Sequence, residues 1–195
     1  KLYARYNTNL SRISYRGVDL YRDILANIRD WQICASLDGT NEIGEYIRTG
    51  LDYKQFYSNF EHGLEYATNR RQMRIDFTLT MPGMFEVGTI QRLAQHWCVE
   101  LLTKVIFSFT PDIIMSPLAL PKHLLHPWLD ELIAECTKES MRDMLTQLKT
   151  RPTFEEQWPD QYREGLIKGK ARILKLESIR TQKITMAEIL GRRPE

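Results

Sequence analysis

The sequence predicts an α/β fold with a parallel sheet, on three observations. Short β-rich runs alternate with segments of helical period, and the stretches between them are long enough to carry crossover helices. The run 31–37 is apolar, compact and without alternation, as in a strand buried on both faces. The elements follow in order. Residues 2–8 are Tyr-rich and close on Asn7-Thr8-Asn9, which reads as a strand running into a loop. Residues 19–28 carry Leu20, Ile24, Leu25 and Ile28 at helical spacing. The second strand, 31–37, is closed by Asp38-Gly39. A helix follows Asp52, a suitable N-cap, with Phe56, Phe60, Leu64 and Ala67 on one face. A third strand, 73–80, is stopped by Pro82-Gly83. A third helix runs over 87–102 with Ile90, Leu93, Ala94 and Trp97 together, and a fourth strand over 105–109 ends at Pro111. Right-handed crossovers leave an open sheet or a partial barrel as the architecture.

Beyond Pro111 the rhythm changes. Residues 113–121 form a Pro-bounded loop, 124–148 a long helix interrupted early by Pro127, 150–159 a connector and 162–179 another helix, with a short helical turn after Thr185. The organisation is therefore 1–112 for the strand-bearing part and 113–195 for a helical extension.

Composition excludes several classes. With 43% hydrophobic and 27% charged residues the 195-residue chain can bury a core, and a net charge of +2 makes no case for nucleic acid. From Arg163 onward nine Lys/Arg face four Asp/Glu, a local basic bias that suits a solvated helix face. No apolar run approaches the ~20 residues of a membrane span, and no signal pattern precedes the first strand. The opening residue, Lys1, reads as a non-native start. Cys34, Cys98 and Cys136 are far apart with no CxxC spacing, which fits buried thiols in a reducing, cytoplasmic compartment.

In parallel α/β folds ligands bind at the carboxyl ends of the strands. The predicted ends deliver Asn7, Thr8 and Asn9; Ser36, Asp38 and Gly39; Thr78, Thr80 and Met81; and Ser108 and Thr110, with Arg48 following the second strand. Small hydrogen-bonding groups, one carboxylate and one guanidinium suit a ligand with a ribose or amide and a free carboxylate. They do not suit a hydrolase.

Tyr6-Asn7-Thr8-Asn9-Leu10, Ala35-Ser36-Leu37-Asp38-Gly39 and Tyr46-Ile47-Arg48-Thr49-Gly50, with Phe56 and Asn59 beyond and a later strand ending Thr78-Leu79-Thr80, stand in an order and spacing that resemble the core of the radical S-adenosylmethionine (SAM) superfamily. The loop 116–121 and the end 173–190 resemble the branch with a twitch or SPASM-type extension. The likeness is close over residues 1–110 and loose beyond. It implies an oxidoreductase-type enzyme built on a six-stranded partial (β/α) barrel, of which this chain would hold about four strands. It implies Ser36 and Asp38 beside the SAM ribose, Arg48 on the methionine carboxylate, Asn7 and Asn9 bordering the pocket, and Thr80 and Met81 flanking the adenine. Arg suits that role on its own chemistry, since its planar fork matches a carboxylate. It further implies a [4Fe-4S] cluster, a peptide or protein substrate, and a reductant such as flavodoxin or ferredoxin. The CxxxCxxC loop and GGEP-like segment of that superfamily are absent from this sequence, and both would stand upstream of Lys1.

Other chemistry is thin. His123-x-x-His126 lacks a third metal ligand and is followed by Pro127. No G-x-G-x-x-G, P-loop or G-x-S-x-G motif occurs, and Trp97, Trp128 and Trp158 read as packing residues. The alternative to an enzyme part is a non-catalytic or split α/β module that binds a nucleotide-like ligand or completes a partner chain.

Overall fold

A computed structural model describes residues 2–106, 108–181 and 183–192. The chain runs through β1 (Tyr3–Thr8), a hairpin of β2 (Ser14–Tyr15) and β3 (Val18–Asp19), a π-helical turn (Leu20–Ile24) continued by a 3-10 turn (Leu25–Asn27), β4 (Asp30–Ser36), α1 (Asn41–Ile47), α2 (Tyr53–Tyr66) and β5 (Met73–Leu79). After a 3-10 turn (Pro82–Glu86) come α3 (Val87–His96), β6 (Glu100–Val105), a 3-10 turn (Pro117–Ala119), α4 (Lys122–Glu135), α5 (Glu139–Lys149), α6 (Phe154–Gln157), α7 (Tyr162–Ile179) and α8 (Met186–Leu190).

β1, β4, β5 and β6 form one sheet in that order, every pair parallel. The α/β class with a four-stranded parallel sheet is therefore as the sequence predicts. Its two faces differ because β5 alternates with period two. Met73, Ile75, Phe77 and Leu79 are buried on one face, in register with Ile33 and Ala35 of β4 and Leu101 of β6. Against them pack Phe56 and Phe60 of α2 and Ile90 and Ala94 of α3, each large side chain worth about 1.5–3 kcal/mol in burial. Arg74, Asp76 and Thr78 point to the opposite face, in register with Cys34 and Ser36 of β4 and with Glu100 and Lys104 of β6; Arg5 and Asn7 of β1 share that face. The core is continuous with the C-terminal helices, because Leu125, Leu129, Met141, Leu145 and Phe154 belong to the same apolar cluster.

Several boundaries depart from the sequence reading. The segment 19–28 is a hairpin end plus π and 3-10 turns rather than one helix. Arg16 (φ 50°) and Gly17 (φ 81°) turn the hairpin, and the Asp19 carboxylate accepts from the N–H groups of Tyr21 and Arg22. α3 stops at His96, with Trp97 as its cap, instead of at 102. The N–H of Val99 reaches the carbonyl of Ala94 and that of Cys98 the carbonyl of Gln95, a Schellman stop in which Cys98 (φ 54°) holds the left-handed place usually given to Gly. The fourth strand consequently begins at Glu100 and ends at Val105. Of the expected 105–109, Phe107 lies outside the described residues, and Ser108 and Thr110 close a local turn through each other. The expected helix 124–148 is two helices. Gln91, buried on α3, accepts from the N–H groups of Thr137 (2.9 Å) and Lys138 (3.0 Å), fixing a break between α4 and α5, whereas Pro127 sits within α4 without ending it. The connector 150–159 contains the short α6, capped reciprocally by Thr153 and Glu156. α8 has the same reciprocal cap from Thr185 and Glu188.

α7 lies flush on the loop after β6 because Gly165 and Gly169 admit it: a Cβ on Gly165 would come 2.7 Å from Pro111, and one on Gly169 would come 2.6 Å from the Asp112 carbonyl oxygen. α8 and the end of α7 build a second apolar cluster with α1, centred on Tyr46, Met81, Ile184 and Ile189. Among the described residues no helix is long and apolar enough to cross a membrane.

Candidate functional site at the strand ends

At the carboxyl edge of the sheet, Asp38 organises the turn that follows β4. Its Oδ1 accepts from the backbone N–H of Thr78 at 2.8 Å, so a side-chain carboxylate extends the ladder between β4 and β5 by one bond. Its Oδ2 lies 2.8 Å from Nε of Arg48, an ion pair without hydrogen-bond alignment. The Asp38 side chain is 7% exposed and that of Arg48 30%. Both carboxylate oxygens thus face protein donors, and a ribose contact by Asp38 would share an oxygen with one of them. Arg48 is tethered at Nε only. Among the described residues Asp38 is its only acidic partner, and the two terminal nitrogens remain the edge of the fork nearest to being available.

The turn is held by close backbone approach. A Cβ on Gly44 would collide with the Gly39 carbonyl, and one on Gly39 would meet the Gly44 backbone at 3.1 Å and Glu86 Cγ at 3.2 Å. Only a Gly-Gly contact lets α1 start this near the strand end. Glu86, buried in the 3-10 turn after β5, accepts from both the N–H and the hydroxyl of Thr40 at 2.6 Å. The sequence reading missed Glu86, Thr40 and Gly44. The only signal for them is Gly44 itself, a helix-disfavouring residue inside a helical stretch.

Ser36 ends β4 half-buried, with no side-chain hydrogen bond among the described residues. It shares the polar sheet face with Asn7, which is exposed and two places out along the same register. Asn9 lies past the strand, exposed, and its Oδ1 accepts from the N–H of Ser11. The buried Asn59 of α2 secures this loop by donating to the carbonyl of Leu10 at 2.7 Å. Thr80 is buried and its hydroxyl accepts from the N–H of Gly83. Met81 is 4% exposed and packed in the second cluster, its N–H bonded to the carbonyl of Met115. The candidate residues therefore fall into two sets. Asn7 and Ser36 face the open side of the sheet, while Asp38, Arg48, Thr80 and Met81 meet in the knot of turns above β4 and β5.

The open face adds groups that the sequence reading did not single out. Lys104 Nζ lies 2.8 Å from Asp76 Oδ2, and Arg74 Nη2 lies 3.0 Å from Glu100 Oε2. The signal for them is the strict alternation Met73-Arg74-Ile75-Asp76-Phe77-Thr78-Leu79. A parallel sheet ordinarily has both faces covered by helices, so a polar face with exposed Arg5, Asn7 and Lys104 is an unusual surface. A groove of about 900 Å³ lies elsewhere, between Phe85 and Arg92 on one side and His123 and Trp128 of α4 on the other; its rim mixes Arg92 and Arg192 with Glu131 and Glu135 and offers no converging set of groups.

The knot offers a guanidinium that can take a carboxylate, with the half-buried hydroxyl of Ser36 on the adjoining open face. It does not fit an iron–sulfur cluster. Cys34 and Cys136 are buried and Cys98 is exposed at the far end of α3, and no group of three His, Cys, Asp or Glu gathers among the described residues. That includes His123 and His126. The chain matches no protein-family model, no curated protein and no solved structure at a significant level.

Proposed function

We propose that this chain is the S-adenosylmethionine-binding part of a radical SAM enzyme of the twitch/SPASM-like branch. The observation that carries the reading is the Asp38–Arg48 pair: a guanidinium fixed at Nε by a buried carboxylate, at the carboxyl ends of parallel strands, with its outer edge directed to no other acid. In this reading Arg48 takes the ligand carboxylate, Ser36 takes a ribose hydroxyl, and Asp38 acts by holding Arg48 and the β4–β5 edge. Asn7 and Asn9 border the pocket, and Thr80 and Met81 shape its adenine side from beneath through the turn they close. The polar face of β1, β4, β5 and β6 suits the inner wall of a partial barrel, with a peptide or protein substrate held over it. S-adenosylmethionine held by Arg48 and Ser36 would, given one electron from a [4Fe-4S] cluster, supply methionine and a 5′-deoxyadenosyl radical for hydrogen abstraction. The cysteines of this chain do not form that cluster site, so in this reading its ligands come from outside residues 1–195, with flavodoxin or ferredoxin as reductant.

A second reading has one observation of its own. β1 is a sheet edge carrying the exposed Tyr3 and Tyr6, which suits a module that completes a partner chain by strand pairing. Equilibrium titration separates the two. In the full-length protein, anaerobically reconstituted with iron and sulfide, S-adenosylmethionine should bind. Arg48→Ala should weaken binding by about 1.5–3 kcal/mol, as for other charge-assisted bonds. A full-length protein that binds no S-adenosylmethionine contradicts the enzyme reading and leaves the module.

A further inference from the structure

α1 is the element that delivers Arg48, and it cannot stand alone. It spans seven residues, and its N-cap residue Thr40 gives no side-chain cap because its hydroxyl is turned to Glu86. Isolated helices shorter than ~12–15 residues are marginal even in favourable sequences. Beside the close Gly39–Gly44 approach and the Tyr53 N–H that Glu45 Oε1 accepts at 3.2 Å, further contacts of α1 lie more than 100 residues away in the chain. The Tyr46 hydroxyl, on a buried side chain, donates to Glu177 Oε1 at 2.8 Å, and the same oxygen accepts from the N–H of Met186 at 2.7 Å. Glu45 Oε2 lies 2.9 Å from Lys183 Nζ and Glu42 Oε2 lies 3.5 Å from Arg192 Nη2. All three polar side chains of α1 beyond Asn41 thus reach Glu177, Lys183 or Arg192, Glu45 giving its other oxygen to the N–H of Tyr53, and its apolar side chains Ile43 and Tyr46 pack with Ile184, Met186 and Ile189 as well as with Met81. Burial, then the bond to Glu177, pushes the Tyr46 phenol well above its ordinary value, so it remains a donor at neutral pH.

We propose that the C-terminal residues 177–181 and 183–192 are a positioning element for the ligand site, and that Tyr46 and Glu177 form the latch through which they fix Arg48. The inference rests on the reading of Arg48 as the carboxylate ligand. One residue, Ile47, separates Tyr46 from Arg48, and Arg48 is the residue on which α1 ends, its N–H bonded to the Gly44 carbonyl. A shift of α1 on its long axis moves the guanidinium off Asp38 and away from the ligand carboxylate. Glu177 sits at the centre because one oxygen ties α1 to α7 and the same oxygen ties α7 to the start of α8. The exposed pairs Glu45–Lys183 and Glu42–Arg192 guide the same docking and are the weaker links.

The test uses Tyr46→Phe, Glu177→Ala and Glu177→Gln in the full-length, cluster-loaded protein. It reads S-adenosylmethionine affinity, affinity for decarboxylated S-adenosylmethionine, and the Arg48 Nε–H resonance by NMR. Tyr46→Phe and Glu177→Ala should each weaken S-adenosylmethionine binding by about 5- to 20-fold, leave the decarboxylated analogue within about twofold, and broaden the Arg48 resonance. Glu177→Gln keeps an acceptor for both donors and should restore all three readouts. If Glu177→Ala fails to fold, Tyr46→Phe, which removes one hydroxyl and no packing volume, carries the test alone. Equal losses for both ligands, or an unchanged resonance and affinity in Tyr46→Phe, overturn the latch. A wild-type protein that binds neither ligand overturns instead the reading on which it rests.

Discussion

Asp38 connects strand, turn and candidate ligand site through a single carboxylate. It replaces a backbone acceptor for Thr78 and pairs with Arg48 while nearly excluded from water. Removing it leaves a buried N–H and a half-buried guanidinium without partners, so Asp38→Ala should lower unfolding stability by about 2 kcal/mol, read from the urea midpoint. Asp38→Asn, which keeps an acceptor for Thr78, should lose less. Cys98 argues the opposite case. It holds φ 54° at the Schellman position ending α3, where a β-carbon is strained. Cys98→Gly should therefore stabilise the protein by about 0.5–1 kcal/mol, and a lower melting temperature would show that the cysteine makes a compensating contact. At this scale the sequence places Ser36, Asp38 and Arg48 in one neighbourhood, since all three lie near one strand end. It cannot show that Asp38 points inward to Thr78, because that depends on the register of β4 against β5. Nor can it show Glu86 beside Thr40, a contact 46 residues apart.

Elements with a strong internal period are legible, and those fixed by one distant polar contact are not. α2 is readable from Phe56 and Phe60 and from its Asp52 cap, which accepts from the N–H of Gln55 at 3.0 Å. α7 and α8 are readable from pattern and capping residues. The break between α4 and α5 is invisible locally because 135–139 carries no Gly or Pro; it is made by Gln91 of α3, which satisfies two backbone donors. Gln91→Ala should consequently cost about 1–3 kcal/mol and increase hydrogen exchange at Thr137 and Lys138, while an unchanged exchange rate would place the break under local control. β6 is misplaced by sequence for a related reason: Glu100-Leu101-Leu102 suits a helix as well as a strand, and the stop at Cys98 carries no glycine. α1 is absent from the sequence reading because seven residues supply less than two helical periods.

Across the whole molecule the charge arrangement sets a pH window. Salt-bridging to Lys122 and bonds from Thr153 hold the Glu156 carboxyl at about 2, down from 4.5, and Arg22 with the Asp19 backbone holds Asp23 at about 2, down from 3.8. Asp112, Glu164 and Glu188 are lowered as well, chiefly by bonds from Thr110, Lys168 and Thr185. Groups lowered in the fold contribute stability above their unfolded values and lose it as pH falls toward 2. On the alkaline side burial pushes Tyr53 from 10.0 up to about 12, with Tyr57 and Glu86 adding, and raises Tyr46 and Tyr21. The unfolded chain ionises these phenols first, so stability falls as pH rises from 10 towards 12. Melting temperature should be level between about pH 5 and 9 and decline on both sides; an unchanged value at pH 3 would contradict the ion-pair account.

The fold class was legible from strand–helix alternation, but the polar sheet face was not, since it appears only once the register sets Arg5, Asn7, Ser36, Asp76 and Lys104 side by side. That face and the Asp38–Arg48 knot meet at Ser36, where the account places the ligand. Hydrogen exchange of the full-length, reconstituted protein with and without S-adenosylmethionine tests this most directly. The account predicts slowed exchange over 36–48 and at Thr78, with lesser slowing over 177–192 transmitted through α1. Protection confined to the groove between α3 and α4, or none at residues 36–48 under saturating ligand, would contradict it.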